Sequence, residues 1–243
     1  MTRGVFVTGT DTGVGKTWIA AGLVRRLRAA GIDAVPVKPV QTGAIRDARG
    51  RLAAPDVDEA LALAGLPLTP EERDALAPYV FEPACSPHLA ARLAGVRIEL
   101  VRIAAAAARL AERHGALVVE GAGGVLVPLG RVATMLDLAA ALALPAVVVA
   151  RAGLGTLNHT LLTVEALRRG GVSVRGVVLN DAAPPDEGAG LVRDDNAATL
   201  EARGIRVLAR VPWCPGDVTA LDAALAAIDP ARLLGGRPPE VRA

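Results

Sequence analysis

Short apolar runs alternate with amphipathic stretches from one end of the chain to the other. The runs at 4–8, 34–38, 117–120, 146–150, 174–180 and 206–211 are nearly continuous in Val, Leu, Ile and Ala rather than alternating with polar residues. That pattern belongs to strands covered on both faces. Between them, helical spacing covers 16–30, 56–64, 99–114, 134–144, 158–169, 193–203 and 220–228. Gly31 and Gly65 stand as stop signals after the first two helices. The sequence Ser86-Pro87-His88 predicts an N-cap with proline at the first helical position, opening a further helix that ends near Gly95. The stretches 46–55 and 184–188 are polar or proline-bearing and read as loops, and 67–87, which contains Tyr79 and Phe81, reads as irregular. Strand and helix alternating in this way predict an α/β fold: one doubly wound, mainly parallel sheet with right-handed crossovers. A single domain is expected over 1–228, with a Gly/Pro-rich tail at 229–243.

Ligands of such sheets sit at the carboxyl ends of the strands. The first strand runs into GTDTGVGKT (9–17) and then into a helix. Strand, glycine loop and helix in that order hold a polyphosphate. Loop N–H groups point inward, the helix N-terminus adds partial positive charge, and Lys16 neutralises phosphate oxygens. Thr17 is placed to offer a hydroxyl to magnesium. Five residues separate Gly9 from Gly15, where the usual pattern has four before Gly-Lys, and Thr10 stands where glycine is expected. The expected fold is therefore of the P-loop NTPase type, with Gly13, Val14, Gly15, Lys16, Thr17 and Trp18 on the nucleotide.

The other strand ends carry the remaining candidates. Lys38 closes the second strand; a solvated strand-end lysine is the bland reading, but here it lies beside the phosphate loop and suits a developing anion. Glu120 closes the third strand, as a second magnesium contact, followed by Gly121, Ala122 and Gly123, which let backbone approach a ligand. Asp56 and Asp58 open the helix at 56–64, each readable as an N-cap or as a metal ligand. Asn180 could hydrogen-bond an adenine edge or simply serve a turn with Asp181. Leu154, Gly155, Thr156, Leu157 and Asn158 form a second helix start with free N–H groups, a seat for a carboxylate. His88, His114 and His159 read as structural.

Composition narrows the field. The chain has 243 residues, of which 52% are apolar and only 2% aromatic, so its core is aliphatic. The net charge of +2 is scattered, without a basic cluster for nucleic acid or an anionic membrane. Cys85 and Cys214 have no metal-ligand spacing and read as reduced thiols. The N-terminal apolar stretch is too short for a signal peptide, and the longest run, 138–150, is broken by Pro145. A cytoplasmic protein is expected.

GTDTGVGKT (9–17), KPVQTG (38–43), SPH (86–88), VEGAGG (119–124), LGTLNH (154–159), Asn180-Asp181 and VPW (211–213) stand in the order found in dethiobiotin synthetases. The chain resembles that family over about 4–228. The resemblance implies an ATP- and magnesium-dependent ligase that closes a cyclic urea on 7,8-diaminopelargonic acid with CO2. It implies Lys16 and Lys38 as catalytic lysines, Thr17, Asp56 and Glu120 around magnesium (with Asp58 still open), and Thr42 on the substrate. It further implies adenine near Asn180, Asp181, Pro212, Trp213 and Cys214. A homodimer is implied, in which the 154–158 turn of one subunit receives the carboxylate tail of substrate bound mainly to the other. Gly13 departs from members that carry a bulkier acidic residue there.

Two rivals share the loop. An amide synthetase of the cobyrinic-acid type normally carries a glutamine-hydrolysing domain, for which this chain has neither room nor a Cys in a glycine elbow. A ParA- or MinD-like switch ATPase carries an early loop lysine in KGGxGKT, where this chain has Asp11.

Overall fold

The computed structural model describes residues 2–47, 50–67, 69–184 and 189–234. In chain order the elements are β1 (Gly4–Gly9), α1 (Lys16–Ala29), β2 (Ala34–Val37), β3 (Val40–Gln41), β4 (Ile45–Arg46), β5 (Leu52–Ala53), α2 (Pro55–Ala64), α3 (Pro70–Leu76), β6 (Tyr79–Val80) and α4 (Pro87–Leu93). There follow α5 (Leu100–Arg113), β7 (Ala116–Gly124), α6 (Met135–Leu142), β8 (Ala146–Arg151), α7 (Thr156–Arg169), β9 (Val174–Asn180), α8 (Ala189–Ala202), β10 (Val207–Val211), α9 (Val218–Leu225) and α10 (Pro230–Leu234).

Six strands form one sheet in the order β10-β9-β8-β1-β7-β2, and every pairing is parallel. The chain leaves β1 for β2 at one edge, returns to β7 between them, and then crosses to β8 on the far side of β1. The carboxyl end of β1 thus lies at the centre of the sheet, flanked by β7 and β8, where connections depart in both directions. All six residues of β1 are buried. Its side chains alternate between two cores. Val5 and Val7 face α1, α9 and α10 with Ile19, Leu23, Leu221 and Leu233, while Phe6 faces the layer containing Ile103, Leu138 and Leu167. Burial on both faces is the physical reason for the unbroken aliphatic runs.

The element pattern differs from the sequence reading in four places. Residues 46–55 are not simply a loop, because β4 and β5 pair antiparallel across them. The stretch 67–87 contains α3 and β6. Its prolines obscured a start signal: Thr69 and Glu72 form a reciprocal capping box at the head of α3. Strand β7 does not stop at Glu120 but continues to Gly124, which pairs with Gly9 of β1. Beyond 228, α10 buries Leu233 and Leu234 against the sheet, so the expected tail begins as packed structure. Residues 185–188 of the expected loop and 235–243 of the tail lie outside the described residues.

Candidate active site

The loop after β1 turns into α1 through Gly13 and Gly15, both with positive φ (73° and 88°). At Gly15 the constraint is double, since a Cβ there would lie 2.2 Å from Asn180 Nδ2. Asn180 is itself buried at the end of β9 and donates Nδ2–H to the Val14 carbonyl at 2.9 Å, pinning the loop to the neighbouring strand. Lys16, the first residue of α1, is buried and donates to the Asp11 carbonyl at 2.9 Å. Burial, then the nearby Lys38 ammonium, lower its pKa from 10.5 to about 8, against the pull of Glu120, Asp11 and Asp56. A charge held this reluctantly gains most from an arriving anion.

Lys38 sits one residue past β2, with its backbone N–H donated to Leu76 O at the end of α3 (2.8 Å). Its Nζ lies 2.6 Å from Glu120 Oε1 and 2.6 Å from Asp56 Oδ2. Burial opposes the charge on Lys38, but Glu120 and Asp56 outweigh it and raise its pKa above the ordinary lysine value. Thr17 Oγ1 donates to the same Glu120 oxygen at 3.1 Å. One hydroxyl, two carboxylates and two lysines therefore converge from α1, α2, β7 and the end of β2. Asp58, two residues from Asp56, points elsewhere and pairs with Arg73 at 2.7 Å.

These groups line a cleft of about 720 Å³, together with Gly13, Gly15, Trp18, Thr42, Ala122 and Gly123 from the sequence reading. Of the liners left unassigned in the sequence, Gln41, Glu59 and Ser86 bear on the site. Gln41 is buried; its Oε1 accepts from Asp56 N (3.3 Å) and its Nε2 donates to Thr42 O (2.8 Å), so it ties two candidate residues together. Glu59 follows Asp56 by three residues on α2, and that spacing, which puts both on one helix face, was the available signal. Ser86 opens α4 at the cleft wall without a side-chain capping hydrogen bond.

The other candidates sit outside this cleft. Asp181 pairs with Arg193 at 3.0 Å, its pKa raised by burial against the pull of Arg193 and Arg210. Its N–H bonds Val211 O (2.9 Å), joining the ends of β9 and β10. Pro212, Trp213 and Cys214 follow β10; Trp213 is 41% exposed, and burial raises the Cys214 thiol pKa against the opposing effect of the cleft residue Trp18. At the head of α7, Leu154 is 95% exposed, Gly155 and Asn158 are also exposed, Leu157 is half-buried, and Thr156 is buried against Thr160. None of the five lines the cleft of its own chain. His114 pairs with Asp33 (Nδ1 to Oδ2, 2.9 Å).

A parallel sheet with a glycine loop at its central strand end, followed by a lysine and a threonine opening a helix, defines a phosphate-binding protein of the P-loop NTPase class. Solved structures agree on the fold, among them a chain of the MinC:MinD cell division protein complex of Aquifex aeolicus (TM-score 0.55, 13% identity, 92% of this chain and 86% of that one). A ParA family ATPase from Chlorobium tepidum TLS gives a TM-score of 0.53 at 14% identity, covering 93% and 92%. The model of an AAA domain family, AAA_26, matches residues 3–219. The ATP-dependent dethiobiotin synthetase BioD of Anaeromyxobacter dehalogenans is 51% identical over 88% of this chain and 91% of its own length. The enzyme of the same name from Paramagnetospirillum magneticum is 42% identical over 92% and 94%. The chain belongs to the ATP-dependent dethiobiotin synthetase family.

Proposed function

We propose that the chain is an ATP-dependent ligase that forms the ureido ring of dethiobiotin from 7,8-diaminopelargonic acid and CO2. The observation that carries this reading is the placement of Lys38 within the same cleft as the phosphate loop, buried and held between Asp56 and Glu120.

The chemistry needs three bond-forming steps. One substrate amine attacks CO2 and loses a proton, giving a carbamate. A carbamate oxygen attacks the γ-phosphorus and ADP leaves, giving a carbamic–phosphoric anhydride. The second amine attacks the carbonyl carbon, phosphate departs, and a proton is lost as the ring closes. Lys16 and the loop N–H groups hold the phosphates, and Lys38 holds the carbamate against the γ-phosphate. Both lysines act by position and charge. Thr42, tied to Gln41, faces the substrate end of the cleft.

Thr17, Asp56 and Glu120 are the residues we assign to magnesium. They are hard oxygen donors, and Thr17 and Asp56 both reach the carboxylate–ammonium group around Glu120. Among the described residues no cluster of three His, Cys, Asp or Glu side chains gathers at one point. Magnesium keeps several waters and shares its remaining positions with phosphate, so few protein ligands are required of this chain. Magnesium supplies charge neutralisation of the phosphate oxygens when bound. We assign adenine to Asn180, Asp181 and the Pro212–Trp213–Cys214 turn, supported by the bond from Asn180 to the loop and by the Trp18–Cys214 contact. The turn Leu154–Asn158 is assigned to the substrate carboxylate of a second subunit in a homodimer; the exposure of Leu154, Gly155 and Asn158 at the head of α7 supports that role. A cytoplasmic site of action completes the reading.

The test mixes purified protein with labelled bicarbonate, ATP, magnesium and the diamino acid. The reading expects acid-stable labelled ureido product and ADP release that requires the diamine. Diamine-independent ADP release without labelled product would sink it.

A further inference from the structure

The cleft contains one carboxylate more than its own cations use. Asp56 and Glu120 are both committed to Lys38, and Glu120 also accepts from Thr17. Lys16 is turned to the Asp11 carbonyl. Glu59 lines the same cleft from the same face of α2 as Asp56, yet among the described residues it has no hydrogen bond and no ion pair. It is exposed, and the surface it is exposed to is the cleft wall. Burial, then the neighbouring charges of Asp56 and Glu120, raise its pKa. A carboxylate so placed is stabilised by a cation that the protein itself does not provide.

We propose that Glu59 is a specificity residue that binds a substrate ammonium: its carboxylate, one turn along α2 from Asp56, receives one of the two amino groups of the diamine. This rests on the ligase reading above, which brings a diamine to the cleft. One amine of such a pair is protonated in neutral water, and its match here is an unpartnered acid in the same cleft as Lys38. The contact orients the diamine between α2 and the wall formed by Thr42 and Ser86, with its remaining amine toward Lys38. Glu59 thereby selects for two amines rather than one.

The experiment measures binding to the full-length protein by calorimetry, using the 7,8-diamino acid, its two mono-amino analogues and ATP. For Glu59→Gln we expect diamine affinity to fall by about tenfold or more, the size of one charge-assisted hydrogen bond. Glu59→Asp should keep part of the affinity. One mono-amino analogue should bind wild type and Glu59→Gln alike, because it lacks the amine that Glu59 holds, while ATP affinity stays unchanged. Diamine affinity within about twofold of wild type, or a parallel fall in ATP affinity, overturns the assignment. Wild-type protein run alongside separates the two failures. If it forms labelled ureido product while Glu59→Gln binds diamine normally, only Glu59 is misassigned; if it neither binds diamine nor forms product, the ligase reading itself is lost.

Discussion

Lys38 is a buried ammonium whose two counter-charges come from different elements, Asp56 on α2 and Glu120 on β7. Neither pairing is stated by local sequence, yet Lys38 and Glu120 were legible as candidates because strand ends in a doubly wound sheet share one edge, and Asp56 because it opens the helix at 56–64. Choosing Asp56 over Asp58 took the family's motif order; the structure puts Asp58 on Arg73. Gln41 and Glu59 were not legible as site residues. Their part depends on where α2 seats against the end of β2; the three-residue spacing of Glu59 from Asp56 puts the two on one helix face but does not say that this face lines the site. Gly15 shows the opposite case, since both its place in the motif and its geometry demand glycine. Gly15→Ala would place a methyl group against Asn180 in a backbone region that L-residues rarely adopt. It should cost about 1–3 kcal/mol in urea unfolding and weaken ATP binding in the same protein, as the loop loses its tie to β9.

At the scale of elements, the strands and long helices were readable because their apolar periods are long and clean. The misread stretches share a cause, which is that Gly and Pro carry two meanings. In 67–87 the prolines suggested irregular chain, but Pro70 is the first residue of α3 behind a Thr69 cap. In 121–124 the glycines suggested a loop, but they continue β7 as its end passes close to β1. Both matter to the site, since α3 anchors the Lys38 backbone and β7 carries Glu120. A comparable cap heads α6, where Thr134 and Asp137 bond reciprocally. The Thr134 side chain and then its backbone N–H lower the Asp137 pKa below the ordinary 3.8. Thr134→Ala should lower stability by about 1 kcal/mol near neutral pH. A depressed carboxyl pKa gives stability that is complete above the unfolded value and lost as pH falls through the folded one. The difference between wild type and Thr134→Ala should therefore shrink below about pH 4. Equal differences at pH 7 and at pH 3 in denaturant titrations would show that the Asp137 carboxylate contributes nothing to the cap.

For the whole molecule, the alternation of elements announced a parallel sheet but not its strand order. That order follows from long-range packing: β1 is buried in the centre by two aliphatic layers, and β7 inserts between β1 and β2. The insertion is what sets Glu120 beside Lys38, 82 residues apart in sequence. It turns a generic phosphate loop into one wall of a cleft in which phosphoryl transfer and carbamate chemistry can meet. Removing the ammonium leaves Asp56 and Glu120 facing each other, at a cost of about 3–5 kcal/mol in the ligand-free protein; magnesium and ATP would offset part of it. The most direct measurement is therefore made on Lys38→Ala with magnesium and ATP present, following labelled ureido product and nucleotide binding in one preparation. The account expects product formation to be largely abolished while nucleotide is still bound. Equal loss of both, or product at close to the wild-type rate, would contradict it.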